Sequence, residues 1–546
     1  MDEEGSAMKF CKNIIFIWIL LIFPFAAIAH IGSPGILFEG MAGKYKVIVN
    51  VMPPDVIPGT AQISVLVESG NTTKVTVQPI YLYAGAEGAP DADTAIPAPN
   101  VPGNYQGLIW LMENGVASVR VSVYGDQGIG EVVVPIMAVP TAQKDMPANL
   151  GWILAGLGSF LVILMITIIG ASVSDGVTAP GNEMSGLRRR KRWVSMAVTT
   201  VVLGLILFGG SSWWNNWAQD YKRYMFKPFT ASSSIKNIRG NELLEFKVDT
   251  ASLEGRWMSL LIPDHGKLMH LFLVREGSLD IFAHLHPKRI DSITFESPLP
   301  ALPKGRYLIF ADIVRRGFAS TIVDTIDVEQ PFSGTTIGLS RDDSYLFSNA
   351  VAGKKALMDS AFTVCGTPGI KTVLADGSSM TLESTSGLKF KNGEISKLSF
   401  MVLDPEGNPA QLEPYLGMGG HAVVVKNDAK VYIHLHPTGT FSAASAQLIE
   451  NRIEKKTGYT PQPDAKHFKD SIDALVNRLD NMSESVRNEY LMQEMNMSGA
   501  NPSHKAHEGA VVDFPYVFPF AGDYRIWVQV KRAGKVLSAA FDVKVQ

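Results

Sequence analysis

Two stretches of this chain, Leu150 to Val173 and Trp193 to Trp217, contain no charged side chain. At 1.5 Å per residue each is long enough to cross the roughly 30 Å hydrocarbon core of a bilayer as a helix. Lipid offers no partners to a bare backbone, so such a segment is restricted to a form that satisfies its own N–H and C=O groups. Between the two runs Arg188-Arg189-Arg190-Lys191-Arg192, a basic block of the kind retained on the cytoplasmic side. Trp213, Trp214 and Trp217 fall where an interfacial aromatic belt belongs. The chain is thereby divided. Transmembrane helices are expected at 149–173 and 193–217, with a cytoplasmic loop at 174–192. Residues 30–148 and 218–546 then emerge together on the outer face. The expected location is the inner membrane of a bacterium, with both large regions periplasmic. So small a loop holds no ATPase or kinase, so energy or signal has to come through a protein partner in the membrane or periplasm.

The N-terminus reads as an export signal. Lys9 and Lys12 precede an apolar run from Ile14 to Ala26, and Ala27-Ile28-Ala29 fits a small-residue cleavage site. Asp2, Glu3 and Glu4 are out of character before such a signal, which points to Met8 as the start. Cleavage after Ala29 leaves His30 with an α-amino group and an imidazole together, a chelate for copper(II). The net charge of −3 gives nucleic acid no reason to bind. Of the two cysteines, Cys11 lies in the signal, so Cys365 alone would survive and no intramolecular disulfide could form.

Outside the spans the pattern is β. Residues 30–148 alternate over Tyr45 to Val51, Gln62 to Val67 and Val116 to Val123, punctuated by Pro and Gly. Short strands at that spacing predict a β-sandwich. Further on, one histidine pattern occurs twice. Pro263, His270 and His284-Leu285-His286-Pro287 are matched by Pro414, His421 and His434-Leu435-His436-Pro437. Each copy closes on a Pro…Gly-x-Tyr sequence, ending at Tyr307 and at Tyr524. The modules expected are residues 228–330 and 384–546, joined by a connector at 331–383. The fold class is therefore mainly β: several immunoglobulin-like sandwiches, two transmembrane helices and one helical insertion.

Each repeat reads as a hairpin. A two-residue turn at Asn427-Asp428 sets His421 opposite His434; a three-residue loop at Glu276-Gly277-Ser278 sets His270 opposite His284. The period of two returns His286 and His436 to the same faces. A lone His-x-His is commonly an ordinary sheet pair packed on aromatic neighbours. A third imidazole across the strand, in both copies, points to zinc or copper(II), with Met269 and Met418 as softer ligands for copper(I). The second copy also holds an insertion, 438–510. Its centre, Asp464 to Met495, reads as one amphipathic helix through Phe468, Ile472, Leu475 and Leu479. Met492, Met495, Met497, His504 and His507 close it, either as a labile copper-handling segment or as an apolar helix face followed by solvent-exposed histidines.

The His…His-x-His-Pro hairpin followed by Pro…Gly-x-Tyr resembles small exported β-sandwich domains of bacteria found in proteins linked to copper and other heavy metals. The start at His30-Ile31-Gly32-Ser33-Pro34 is distantly similar to copper-resistance sandwich proteins with a mature N-terminal histidine. It also resembles the N-terminal half of poorly characterised bacterial membrane proteins. These resemblances imply metal binding or an accessory role in transport. A cupin enzyme would need a glutamate and a further histidine after its His-x-His, and neither Lys288 to Asp291 nor Thr438 to Thr440 begins that pattern. The expectation is a non-enzymatic, membrane-anchored protein that buffers, delivers or senses copper or zinc. An envelope scaffold with structural histidines is the alternative.

Overall fold

Alternation of buried valines with polar neighbours dictates the first β unit. The computed structural model describes residues 30–31, 35–99, 101–179, 181–238, 241–329, 338–352, 354, 370–383, 389–453, 457–461, 463–496 and 509–546. The expected signal at 1–29, Cys365, Met497, His504 and His507 lie outside the described residues, as do the side chains of His30 and Met495. In strands Tyr45–Met52, Gly59–Val67 and Gly115–Gly125, residues such as Val47, Val49, Val65, Val119 and Val121 are fully buried in one core. Eight antiparallel strands wrap around it. Gly130 on the last strand lies so near the first that an added Cβ would meet the Ala42 carbonyl at 2.0 Å.

The two apolar segments are helices, Ala148–Ser172 and Gly186–Tyr224, and both are long and apolar enough to cross a membrane. Their side chains face outward: Trp152 is 79% exposed and Phe208 75%. The basic block forms the first turns of the second helix instead of a loop. Ser185 caps that helix by accepting from the Arg188 amide, and arginine and lysine are good helix formers.

Two histidine modules follow, each a pair of sheets around its own core. In the first, Asn241–Val248 and Thr294–Pro298 pack through Leu244, Phe246 and Phe295 against Leu271, Leu273 and Ile309 of the facing sheet. In the second, Ile395–Leu403 and Val511–Val517 pack through Leu398, Phe400 and Phe514 against Ala422, Val424 and Ile526. The two Pro…Gly-x-Tyr sequences form the same corner. Tyr307 donates to the Pro303 carbonyl and Tyr524 to the Phe520 carbonyl, each at 2.7 Å, the arrangement that fixes a strand crossover in immunoglobulin-like sandwiches.

The described parts of the segment 331–383 contribute strands to both modules. Ser344–Phe347 adds an edge strand to the first, while Lys371–Val373 and Ser379–Glu383 start the second. Alternation explains the latter: Met380 and Leu382 point into the core between polar neighbours. Within the insertion, the helix expected over Asp464 to Met495 is two, Ala465–Asn481 and Glu484–Asn496, because Met482 is extended between them. A further helix, Ala443–Ile453, precedes them. Ile472 and Val476 pack on the core of the first module, so an insertion belonging to the second copy braces the other.

The outer faces of the two histidine sheets then meet. Phe272, Val274, Phe282 and Phe310 of the first pack with Val423, Val425, Tyr432 and Trp527 of the second. Phe310 stacks on Tyr432 at 4.1 Å between ring centroids, and Phe282 on Trp527 at 5.0 Å.

Candidate metal centre

Period-two pleating decides where the histidines point. Along His270–Arg275, Leu271 and Leu273 enter the core of the first module, so His270, Phe272 and Val274 face the second. Along His421–Lys426, Ala422 and Val424 turn inward, leaving His421 on the shared face with Val423 and Val425. His284 and His286 extend the face of Phe282; His434 and His436 extend that of Tyr432. The repeats therefore do not make two separate sites in two domains. They make one buried cluster between domains.

The hairpin registers differ from those expected. Phe272, not His270, lies opposite His284, and Val423, not His421, lies opposite His434. The loops are longer than the turn residues imply: Leu279 and Ala429 take positive φ values of 50° and 58° and extend each turn by two residues. A shift of two keeps every side chain on its face, whereas a shift of one would have reversed them all. The histidines converge despite the changed pairing.

A seventh imidazole joins them. Pro263-Asp264-His265-Gly266-Lys267 and Pro414-Tyr415-Leu416-Gly417-Met418 form matching turns, with bridges Asp264 to Lys267 and Tyr415 to Met418. Their central residues have positive φ: His265 49° and Gly266 78°, Leu416 52° and Gly417 83°. These are the backbone signs of a type I′ turn. The turn carries the His265 ring across to the second module, 4.7 Å from His436 and 5.5 Å from His421 between ring centroids. Sequence reasoning passed over His265. The aligned Pro-x-x-Gly spacing was the available signal, since it places His265 at a turn five residues before His270.

Two groups of three histidines bring one ring nitrogen each within 4.8 Å of one another: His270, His284 and His286, and His265, His421 and His436. All six are buried. His434 lies between the groups, with ring centroids 5.4 Å from His270, 5.8 Å from His284, 5.3 Å from His421 and 4.6 Å from His436. Outer partners orient several rings. His286 Nδ1 is 2.9 Å from Asp343 Oδ1, His284 Nδ1 is 2.9 Å from Gln529 Oε1, and His436 Nδ1 is 3.2 Å from the Phe441 carbonyl. His434 Nδ1 lies 3.4 Å from Asp312 Oδ2. In His286, His434 and His436 this leaves Nε2 without a partner, which is how protein ligands to metals are commonly held. His284 Nε2 instead lies 3.1 Å from His270 Nδ1, and His270 Nε2 lies 3.1 Å from the Asp264 carbonyl.

Six buried ring nitrogens have no hydrogen-bond partner: Nε2 of His265, His286, His434 and His436, and both nitrogens of His421. A buried polar atom left unpaired costs about 1–3 kcal/mol, against a domain stability of roughly 5–15 kcal/mol. So many in one place is a poor way to stabilise an interface and a good way to receive a cation.

Electrostatics agree. Burial, reinforced by neighbouring imidazoles, holds His270, His284, His421 and His434 well below the ordinary histidine range. Burial takes His265 and His436 down to about 3. The rings are therefore neutral and able to ligate near pH 7. Burial also raises Asp264, and pushes Asp312 up to about 6 despite hydrogen bonds from Thr321 and Tyr432. Asp342 is buried as well, yet the Arg487 guanidinium and Lys267 hold it below the usual carboxylate range.

The other expected ligands are placed differently from one another. Met269 is packed in the core of the first module beside Leu271 and Leu273, because it precedes His270 and so has the opposite parity. Met418 is buried at the end of the second module's turn, where its backbone closes onto Tyr415. The backbone at His30–Ile31 pairs in parallel with Val431 and Tyr432, on the edge of the second histidine sheet. A cavity of about 70 Å³ reaches His265 between Pro263, Ala444, Leu475, Leu479 and Leu491, beneath the helices of the insertion.

Comparison with known proteins adds a domain and a set of distant structures. Residues 371–467 and 493–546 match a domain of unknown function (DUF8832). The match spans the second histidine module from its first strand and omits most of the helical pair; it is not to a copper-resistance family. No curated protein matches the chain. Among solved structures, invasin, a bacterial integrin-binding protein, is 11% identical at a TM-score of 0.13, over 91% of this chain and 60% of that one. Dimeric latent PorU from Porphyromonas gingivalis is 9% identical at 0.12, over 94% and 34%, and the BSP domain of a biofilm associated protein 7% identical at 0.13, over 96% and 68%. This chain thus spans 60% of the length of the first and 34% of the second.

Proposed function

We propose that this is a membrane-anchored metal-binding protein of the cell envelope whose cation lies in the imidazole cluster between the two histidine modules. The observation that carries the reading is the set of six buried, unpartnered ring nitrogens on the clustered histidines. An all-nitrogen donor set suits copper(II) or zinc(II), and at such a site copper(II) binds the more tightly. Copper is therefore the first choice. Met269 facing away removes one of the thioethers that would favour copper(I).

The role is buffering, delivery or sensing of the ion beside a membrane or periplasmic protein partner, without catalysis. The basic turns at Arg188 to Arg192 support a topology with the short link between the spans in the cytoplasm and both large regions outside. The alternative, an envelope scaffold with structural histidines, has to account for six buried ring nitrogens, both of His421 among them, that have no hydrogen-bond partner in the interface they would be stabilising.

The test uses the full chain purified in detergent and titrated separately with copper(II) and zinc(II), beside a His421→Ala/His436→Ala variant checked for folding by circular dichroism. Tight binding by the parent, diminished in the folded variant, is expected. A folded parent that takes up neither ion would leave the scaffold reading standing.

A further inference from the structure

The two three-histidine groups are not equivalent. His270, His284 and His286 all come from the first module, whereas His265 comes from the first and His421 and His436 from the second. Among the described residues, His265 is the histidine that lines the cavity beneath the helical insertion, so the mixed group has a path to the outside. His434 belongs to neither group, yet its ring neighbours two members of each. Its Nε2 has no partner, and its Nδ1 is turned toward Asp312.

A divalent ion crossing a dry interface without ligands would meet a prohibitive desolvation cost. An imidazole within reach of both groups removes that barrier by letting one bond form before another breaks. We propose that the seven histidines form a two-position relay. The outer position, His265, His421 and His436, is loaded through the cavity; the inner position, His270, His284 and His286, is filled from it through His434. The inference rests on the metal reading above and adds stoichiometry, direction and a role for His434. No oxidation state changes in the transfer: the ion exchanges one imidazole for another, and each released ring is again a neutral base.

The test follows zinc(II) uptake by the full chain in detergent, in competition with a chromophoric chelator, by stopped flow. The parent is expected to take two equivalents in two phases. His286→Ala should keep the fast phase and lose the slow one. In His434→Ala and His434→Gln the fast phase should be unchanged and the slow phase at least tenfold slower. Leu475→Trp, at the cavity wall and not itself a ligand, should slow both phases while leaving two equivalents at equilibrium; it keeps the idea testable if the buried variants fail to fold. A second equivalent entering folded His434→Ala at the parent rate would overturn the relay, as would uptake of a single equivalent by the parent, or Leu475→Trp loading at the parent rate. No uptake at all by the parent would instead overturn the metal reading itself, so the two failures are distinguishable.

Discussion

The two histidine modules share a hairpin, a turn and a tyrosine corner, and differ where they touch the cluster. Across from His270 stands Asp312; across from His421, at the matching place, stands Gln529. Each reaches over to the other module's histidine, Asp312 to His434 and Gln529 to His284. The first module's turn carries Asp264 and His265 where the second carries Tyr415 and Leu416. His286 is oriented by a side-chain carboxylate, but His436 by a backbone carbonyl. Duplication by itself would give equal sites. These replacements, with the insertion in one copy alone, make one position mixed and reachable and the other closed.

Acid should produce the largest effect, and it acts on both modules together. Six of the clustered histidines are held below their ordinary value in the folded chain. Unfolded, each titrates near 6.5. As pH falls from there toward about 3, the unfolded state binds protons that the folded state does not, and stability is lost at up to about 1.4 kcal/mol per pH unit for each such histidine. Above about 6.5 these groups contribute no pH dependence. Thermal unfolding of metal-free protein at pH 7.5 and pH 5 is expected to show one joint transition moving sharply down. Two transitions moving independently would mean that the cluster does not couple the modules.

Next in size is the aromatic seam. Trp527→Ala and Phe282→Ala should each cost about 3–5 kcal/mol, since both rings are fully buried and stack on one another. Chemical denaturation measures this, and the double variant should lose less than the sum of the singles. An effect confined to one side would break the equivalence of the modules at this contact.

A smaller effect sharpens the difference between the positions. Asp343→Asn removes the carboxylate behind His286 and should weaken the inner position about 10–100-fold, leaving the outer one unchanged. Competition titration would show it. Equal weakening of both positions would contradict the asymmetry. Smallest is the shared corner: Tyr307→Phe and Tyr524→Phe each remove one hydrogen bond and should cost about 0.5–1.5 kcal/mol, to a similar extent in the two modules. Unequal losses in denaturation would show that the corner bears different weight in each.

Much of this was legible in the chain. Two uncharged runs flanking a basic block gave the apolar helices, and valine alternation gave the strands. The parity of His270, His284, His286, His421, His434 and His436 gave their common faces, and parity survived even where turn length was misjudged, because both loops lengthened by an even number of residues. Met269 was misread for the same physical reason: it neighbours His270 in sequence, and adjacent residues on a strand lie on opposite faces. The helix expected across Asp464 to Met495 is interrupted because hydrophobic spacing continues through Met482 while the backbone does not.

What periodicity determines is which residues share a face; it is a property of a few consecutive residues and can be read along the chain. What that face meets is settled by packing between segments about 150 residues apart, and no local pattern encodes it. The sequence by itself determined two sets of imidazoles on two sheets. Only the tertiary structure decided that the sheets turn those faces toward each other, that a turn residue, His265, crosses to the other set, and that His434 stands between them.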